Sequence, residues 1–457
     1  MKTKIERIYF IGIGGSGMSG IAEVMHNLGF IVSGSDISNS STVRSLKDIG
    51  INIFNEHSSK NIDLVDVVVV STAISKKNPE IKAAFERKIP IIPRAEMLAE
   101  LMRFKKGIAV AGTHGKTTTT SLIAAILSEG GLDPTYVIGG RLNSMNINAK
   151  LGSGNLMVVE ADESDASFLH LNPINTIVTN IDNDHLDTYQ GDFERLKQTY
   201  VDFIHQVPFY EHVFLCIDDH HIKNIISLIS RPIVTYGLSE SAEIQAVNLK
   251  HEGAQMAFQV LDKKYKKRMF NITINFPGEH YVRNALASIA IGLEYNVSIK
   301  MIQKALFEFK GVARRYQIYK NIIYLNKNVM VVDDYGHHPT EIEAVLNATI
   351  KGFPGKQINL VFQPHRYTRM RDCFDEFIRV LKIPDNIFMF DIYSAGEDPI
   401  GKISTNLIID KLKKSEAYYL KDFESAKDII FQQINDDSIL IIMGAGSIGK
   451  LTQNIIS

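Results

Sequence analysis

The 457-residue chain is 45% hydrophobic and 22% charged, with a formal net charge of -1, which excludes a fibrous or disordered chain. It exceeds what one hydrophobic core usually supports, so roughly two to four domains are expected. Near-neutral charge gives no general attraction to nucleic acid or anionic lipid, and no apolar run reaches membrane-spanning length, so small-molecule partners are expected.

The opening residues lack the apolar core of a signal peptide, which predicts a cytoplasmic location. Short apolar runs at residues 7–11, 31–33, 65–71 and 89–92 alternate with helical patterns and predict a parallel sheet. The first run leads into Gly12-Ile13-Gly14-Gly15-Ser16-Gly17, where backbone N–H groups at a helix start suit a diphosphate. Asp36 ends the next strand, where a ribose hydroxyl would lie. This loop also occurs in nicotinamide dehydrogenases, and a tight turn without ligand is the plain alternative.

After a basic stretch at residues 103–106, a strand at residues 107–111 feeds Gly112-Thr113-His114-Gly115-Lys116-Thr117-Thr118. Glycines bring N–H donors to phosphate oxygens, Lys116 reaches the terminal phosphates, and the Thr117 hydroxyl suits magnesium. Val110 stands where the full P-loop spacing requires its first glycine, which points away from generic NTPases. Glu160 ends the strand predicted at residues 156–160, where nucleotide sites place a carboxylate for the metal. For Asp162, Glu163 and Asp165, which follow, a charged loop is an equal reading.

The strand at residues 176–179 ends in Asn180-Ile181-Asp182-Asn183-Asp184-His185, in which His185 can serve a second metal while the aspartates can equally cap the following helix. Residues 209–274 read as more antiparallel. A third alternating region has strands at residues 329–332, 358–362 and 439–443. It carries Asp333-Asp334-Tyr335-Gly336-His337-His338 and His365-Arg366-Tyr367-Thr368-Arg369 at strand ends, where paired arginines can grip a carboxylate. Gly444-Ala445-Gly446 is read as a structural turn. Cys216 and Cys373 are far apart without metal-ligand spacing and are read as reduced, non-catalytic thiols.

The predicted fold is α/β in three domains: Rossmann-like at residues 1–106, a P-loop ATPase-like parallel sheet with added antiparallel strands at 107–312, and Rossmann-like at 313–457. Together these segments resemble the Mur ligase family across nearly the whole chain. The resemblance implies an ATP-dependent carboxylate-amine ligase with ATP and Mg2+ as cofactors and UDP-N-acetylmuramate and L-alanine as partners, acting as a monomer or weak homodimer. By position it places Gly14, Gly15, Ser16, Gly17 and Met18 on the UDP diphosphate, Lys116 on the ATP phosphates, and Thr117, Glu160 and His185 on magnesium. Tyr335, His337, His365, Arg366 and Arg369 fall in the amino-acid and acyl-phosphate pocket. Gly112, Thr113, His114, Gly115, Thr118, His280, Asn284, Arg315 and Asp334 fall on the ATP side. Tyr281 stands where the family usually has asparagine, which leaves Asn284 as the expected adenine contact. Rival readings are a relative that adds a tripeptide or another amino acid, a nicotinamide oxidoreductase, and a non-enzymatic nucleotide-binding regulator.

Overall fold

The computed structural model describes residues 5–71, 74–142, 147–414 and 416–457. Its architecture is α/β in three domains, each with its own sheet. By internal packing the chain forms two compact units, one comprising residues 1–245, 260–270 and 283–308, the other residues 246–259, 271–282 and 309–457.

The first unit opens with β1 (Arg7–Ile11), α1 (Ser16–Asn27), β2 (Ile31–Ser35), α2 (Ser41–Asp48), β3 (Asn52–Phe54), β4 (Val67–Val70), α3 (Pro79–Glu86), β5 (Ile91–Pro93) and α4 (Arg94–Met102). The five strands pair in parallel in the order β3-β2-β1-β4-β5. The order reverses at β1, whose C-terminal end carries the first glycine loop, the usual place for a ligand in an open α/β sheet. Four of the five residues of β1 are buried, as an apolar strand covered on both faces requires.

The same unit continues with β6 (Lys106–Ala111), α5 (Lys116–Glu129), β7 (Thr135–Leu142), β8 (Ile147–Lys150), β9 (Leu156–Glu160), β10 (Asn175–Val178), α6 (Phe193–Ile204), β11 (Val213–Cys216), α7 (His220–Ile225) and β12 (Ile233–Gly237). Strands β13 (Ile244–Glu252), β14 (Gln255–Asp262) and β15 (Arg268–Ile274) and helices α8 (Glu279–Glu294) and α9 (Ile299–Glu308) follow, of which residues 246–259 and 271–282 belong to the second unit. Strands β10, β11 and β12 pair in parallel, and β12 meets the start of β13 in parallel at Tyr236 and Ile244. This corrects the antiparallel expectation for residues 209–244. The four residues of β11 are all buried, and intervening helices give the crossover that parallel strands need. Strands β7 and β8 pair antiparallel, and β13, β14 and β15 are successive neighbours at the other edge of the sheet.

The second unit contains β16 (Gln317–Tyr324), β17 (Lys327–Asp334), α10 (Pro339–Gly352), β18 (Ile358–Phe362), α11 (Tyr367–Asp372), α12 (Phe374–Val380), β19 (Asn386–Met389), α13 (Thr405–Leu412), β20 (Ala417–Tyr419), α14 (Phe423–Gln433), β21 (Ile439–Met443) and α15 (Gly449–Ile456). Its sheet runs β16-β17-β21-β18-β19-β20, with β16 antiparallel on the edge. Both cysteines are buried free thiols, and burial pushes the Cys216 thiol up to about 12, which suits packing and not chemistry. Among the described residues, no helix is long and apolar enough to cross a membrane.

Candidate active site

Three strand-to-helix turns carry glycine loops, and the protein fills them differently. The loop between β6 and α5 is built by backbone that only glycine adopts easily: Gly112 has φ +128° and Gly115 φ +83°. A Cβ on Gly112 would lie 2.1 Å from Thr179 Oγ1, and one on Gly115 would lie 2.7 Å from Asn284 Oδ1. The end of β10 is laced to this loop. His114 N–H donates to Asn180 Oδ1 at 2.8 Å, His114 Nε2 meets Asp182 Oδ2 at 2.9 Å, and Asp182 N–H donates to Thr113 Oγ1 at 2.9 Å. Thus Asp182 braces the phosphate loop, a role between the metal and capping readings of the sequence. Asn284, expected at adenine, packs directly on Gly115.

Lys116 folds over its own loop. Its ammonium donates to Gly112 O at 2.7 Å, Thr113 O at 3.2 Å and both Glu163 oxygens at 2.9 and 2.7 Å. Burial pulls the Lys116 pKa down, but Glu163, Asp162 and Glu160 outweigh it and the net shift is upward, so the lysine stays a cation. Burial pushes the Glu163 carboxyl up, against the pull of Lys116, to about 7. Sequence reasoning left Glu163 as a possible charged loop, because nothing in its spacing marks it as the partner of a lysine 47 residues away.

Thr117 Oγ1 donates to Glu160 Oε2 at 3.2 Å, and Gly139 N–H donates to Glu160 Oε1 at 2.7 Å. The structure therefore brings together two of the three residues expected at a metal, and both offer the hard oxygen atoms that magnesium takes. His185 stands in the turn after β10 with φ +56°, its Nε2 3.5 Å from Asp184 Oδ2. Thr118 is buried in the first turn of α5.

In the first loop, Gly12 has φ +77°, and Gly12 N–H and Ile13 N–H both donate to Ser35 O, at 2.8 and 3.1 Å. Asp36, expected at a ribose, accepts from Gly14 N–H at 2.8 Å and from Ser38 N–H and Oγ at 2.8 and 2.6 Å. In this structure it holds the loop. Helix α1 starts on Gly15 without a side-chain cap and without an acid in its first turn, and Met18 is buried beneath it. Ser16 is the first residue of α1.

The third loop serves the protein itself. Gly444 has φ +145°, and Gln363 Oε1 takes the Ile448 N–H at 3.0 Å while Arg314 donates to Gly444 O at 2.7 Å. The Gln363 side chain thus takes one N–H donor of this turn and Arg314 braces its carbonyl, as a structural turn would have it.

Within the second unit, four of the five residues expected in the amino-acid pocket, Tyr335, His337, His365 and Arg369, touch in succession. Arg314 and Arg315 hold their guanidinium carbons 5.4 and 5.1 Å from the Tyr335 ring centre, two cation–π contacts on one exposed tyrosine. Tyr335 meets His337 edge-on at 5.7 Å, and His337 meets His365 at 5.4 Å. Arg369 donates to His365 O at 3.3 Å. Burial, with Arg369 and His365 adding to it against the pull of Glu341, takes the His337 pKa down to about 3, so its imidazole is neutral. Its Nδ1 faces Tyr335 O at 3.1 Å; a carbonyl only accepts, so this nitrogen carries the proton. Arg366 has φ +69°, and its Nε is buried without a hydrogen-bond partner among the described residues. A buried donor without a partner in strained backbone marks a place for an anion.

Asp334 accepts from Tyr316 N–H at 2.8 Å and Gly336 N–H at 2.7 Å, and burial, against the pull of Arg315, raises its carboxyl to about 6. Glu341, which sequence reasoning missed, closes the capping box of α10, accepts from His337 N–H at 2.9 Å and lies 3.8 Å from Arg315. Its position three residues after His338 was the available signal. His280 lies against Tyr281, their ring centres 4.4 Å apart. Tyr281 is buried and stacked on Phe276 at 4.9 Å, so a large ring at this position serves packing.

Comparison with known proteins matches three Mur ligase models in succession: "Mur ligase family, catalytic domain" over residues 7–106, "Mur ligase middle domain" over residues 110–292, and "Mur ligase, glutamate ligase domain" over residues 314–446. The chain is 51% identical over 457 residues to the UDP-N-acetylmuramate--L-alanine ligase of Hydrogenovibrio crunogenus, with 99% of each chain covered. A relative of the same name from Azoarcus sp. is 50% identical, covering 100% of this chain and 99% of its own. Among solved structures, a UDP-N-acetylmuramate-alanine ligase from Thermotoga maritima is similar with a TM-score of 0.83 at 30% identity, covering 98% of both chains.

Proposed function

The chain belongs to the Mur ligase family, and from that premise we propose that it joins L-alanine to the lactyl carboxylate of UDP-N-acetylmuramate, using ATP and Mg2+ in the cytoplasm for peptidoglycan precursor synthesis. The observation that carries the reading is the full-length identity of about half to relatives bearing that name, over a chain that keeps the phosphate loop and both polar strand ends.

We assign residues 1–106 to the UDP-substrate, 107–312 to ATP and 313–457 to the amino acid. The lactyl carboxylate takes the terminal phosphoryl group of ATP, and the amino group of L-alanine then displaces phosphate from the acyl phosphate, leaving ADP, phosphate and an amide. Thr117, Glu160 and His185 would hold magnesium, which would supply positive charge beside the phosphate oxygens.

The remaining chemistry is positioning and electrostatics. Lys116 exchanges Glu163 and the loop carbonyls for phosphate oxygens, and Gly112, Thr113, His114, Gly115 and Thr118 shape the cradle around them. His280, Asn284, Arg315 and Asp334 line the nucleotide side. Neutral His337 does not repel the alanine ammonium, whereas Arg366 and Arg369, beside Tyr335 and His365, bind carboxylate or acyl phosphate.

Incubation with magnesium-ATP, UDP-N-acetylmuramate and single amino acids, followed by phosphate release and product mass, tests the reading. An L-alanine-dependent adduct with one phosphate per amide is expected. Adduct formation with another amino acid or a tripeptide, and none with L-alanine, would overturn it.

A further inference from the structure

We propose that Arg94 is a substrate-binding residue: its guanidinium grips the diphosphate of the UDP-substrate beside the Gly14–Gly17 turn, and in the free enzyme Asp162 holds it in place. The proposal deepens the UDP assignment above and rests on it.

Arg94 is the first residue of α4, following the cap at Pro93. A cation there faces the positive end of its own helix, the less favourable end for it, so its position calls for a compensating anion. The side chain lies flat on the first turn of α1. A Cβ added to Gly17 would come within 2.9 Å of Arg94 Nη1, 3.0 Å of Cδ and 3.2 Å of Cζ. Gly17 is thus required by the arginine as well as by the loop. This second positive group converges on a helix start that has neither a side-chain cap nor an acid in its first turn.

The protein compensates this charge only in part. Among the described residues, the guanidinium makes one hydrogen bond, from Nη2 to Asp162 Oδ2 at 3.3 Å, with side-chain exposures of 21% for Arg94 and 40% for Asp162. A guanidinium has five N–H donors in a planar fork, so most of them have no partner among the described residues, and the fork matches two phosphate oxygens. A long, single-armed contact is a weak brace. It is a contact that a diphosphate, with more charge and better geometry, can displace.

Calorimetric titration with UDP and with uridine, on the full chain and on Arg94→Gln, Arg94→Lys and Asp162→Asn, tests this. Arg94→Gln should weaken UDP at least tenfold and uridine less than twofold, because the missing contact is to phosphate. Arg94→Lys should recover part of the UDP loss, and Asp162→Asn should leave UDP binding unchanged or tighter. In steady state, the KM for UDP-N-acetylmuramate should rise in Arg94→Gln while the KM for ATP stays within twofold. Equal losses for UDP and uridine, or a loss in Asp162→Asn as large as in Arg94→Gln, would show a structural brace and overturn the proposal. If the parent protein binds neither UDP nor UDP-N-acetylmuramate, the UDP assignment itself fails, and Arg94 fails with it.

Discussion

Lys116 and Glu163 form a buried ion pair in the phosphate loop, with side-chain exposures of 17% and 3%. Removing one partner of such a pair costs about 3–5 kcal/mol, because the other charge is left without compensation. Lys116→Met should therefore abolish turnover and also lower the unfolding midpoint. Burial raises the Glu163 carboxyl to about 7 even against the pull of Lys116, and further without it, so protonation relieves the uncompensated charge and the loss should be smaller at pH 6 than at pH 8. Adding Glu163→Gln should restore stability but not activity, and UDP-substrate binding should survive throughout. A double variant as unstable as the single one would disprove the pairing.

His337 gives a second residue-level expectation. The unfolded imidazole takes up a proton near 6.5 and the folded one only near 3, so between these values the unfolded state binds more protons and stability falls as pH falls. Asp334 acts oppositely: its folded pKa of about 6 lies above the unfolded 3.8, so its contribution is present at low pH and is lost as pH rises through 6. Urea midpoints measured from pH 6.5 to 4.5 should fall less steeply in His337→Asn and more steeply in Asp334→Asn. Unchanged slopes would refute the burial of either group. Most of these residues could be located from sequence because motif chemistry fixes type and spacing. Arg94 and Glu163 could not, because their partners are distant in the chain and only folding brings them together.

At the scale of elements, the loop at the start of α5 depends on backbone more than on side chains. Gly115→Ala must hold φ near +83° and face Asn284 Oδ1 at 2.7 Å. The left-handed conformation alone costs about 1–2 kcal/mol for a residue with a Cβ. The variant should lose stability by at least that amount and raise the KM for ATP, as thermal unfolding and initial rates would register; a parent-like enzyme would disprove the tight fit. Strands buried on both faces, such as β9, β18 and β21, were legible as continuous apolar runs, and their bounds agree with the sequence reading. Short β3 and the edge strand β16 were not, because three residues, or a mixed polar strand, give too little periodicity. The same limit explains the wrong orientation expected for β11 and β12: apolar runs reveal burial but not direction.

For the whole molecule, ligand linkage supplies the check. A nucleotide at about 100 times its Kd stabilises the folded state by about 2.7 kcal/mol, and only where it binds. Magnesium-ATP should slow hydrogen exchange in β6 and α5 without changing β18 or β19. Chelation of divalent ions should remove both that protection and turnover while leaving UDP binding intact; protection that survives chelation would argue against the metal assignment to Thr117 and Glu160.

Gln363 has one more consequence. By setting its amide oxygen on the Ile448 N–H and against Gly446, Gln363 takes the room and a donor that a phosphate would need in the last of three similar cradles. Fold repetition therefore does not set how many nucleotides a copy can carry. Counted by equilibrium dialysis with ATP and UDP-N-acetylmuramate together, the stoichiometry should be two per chain, and releasing the amide with Gln363→Gly is the change that would make room for a third.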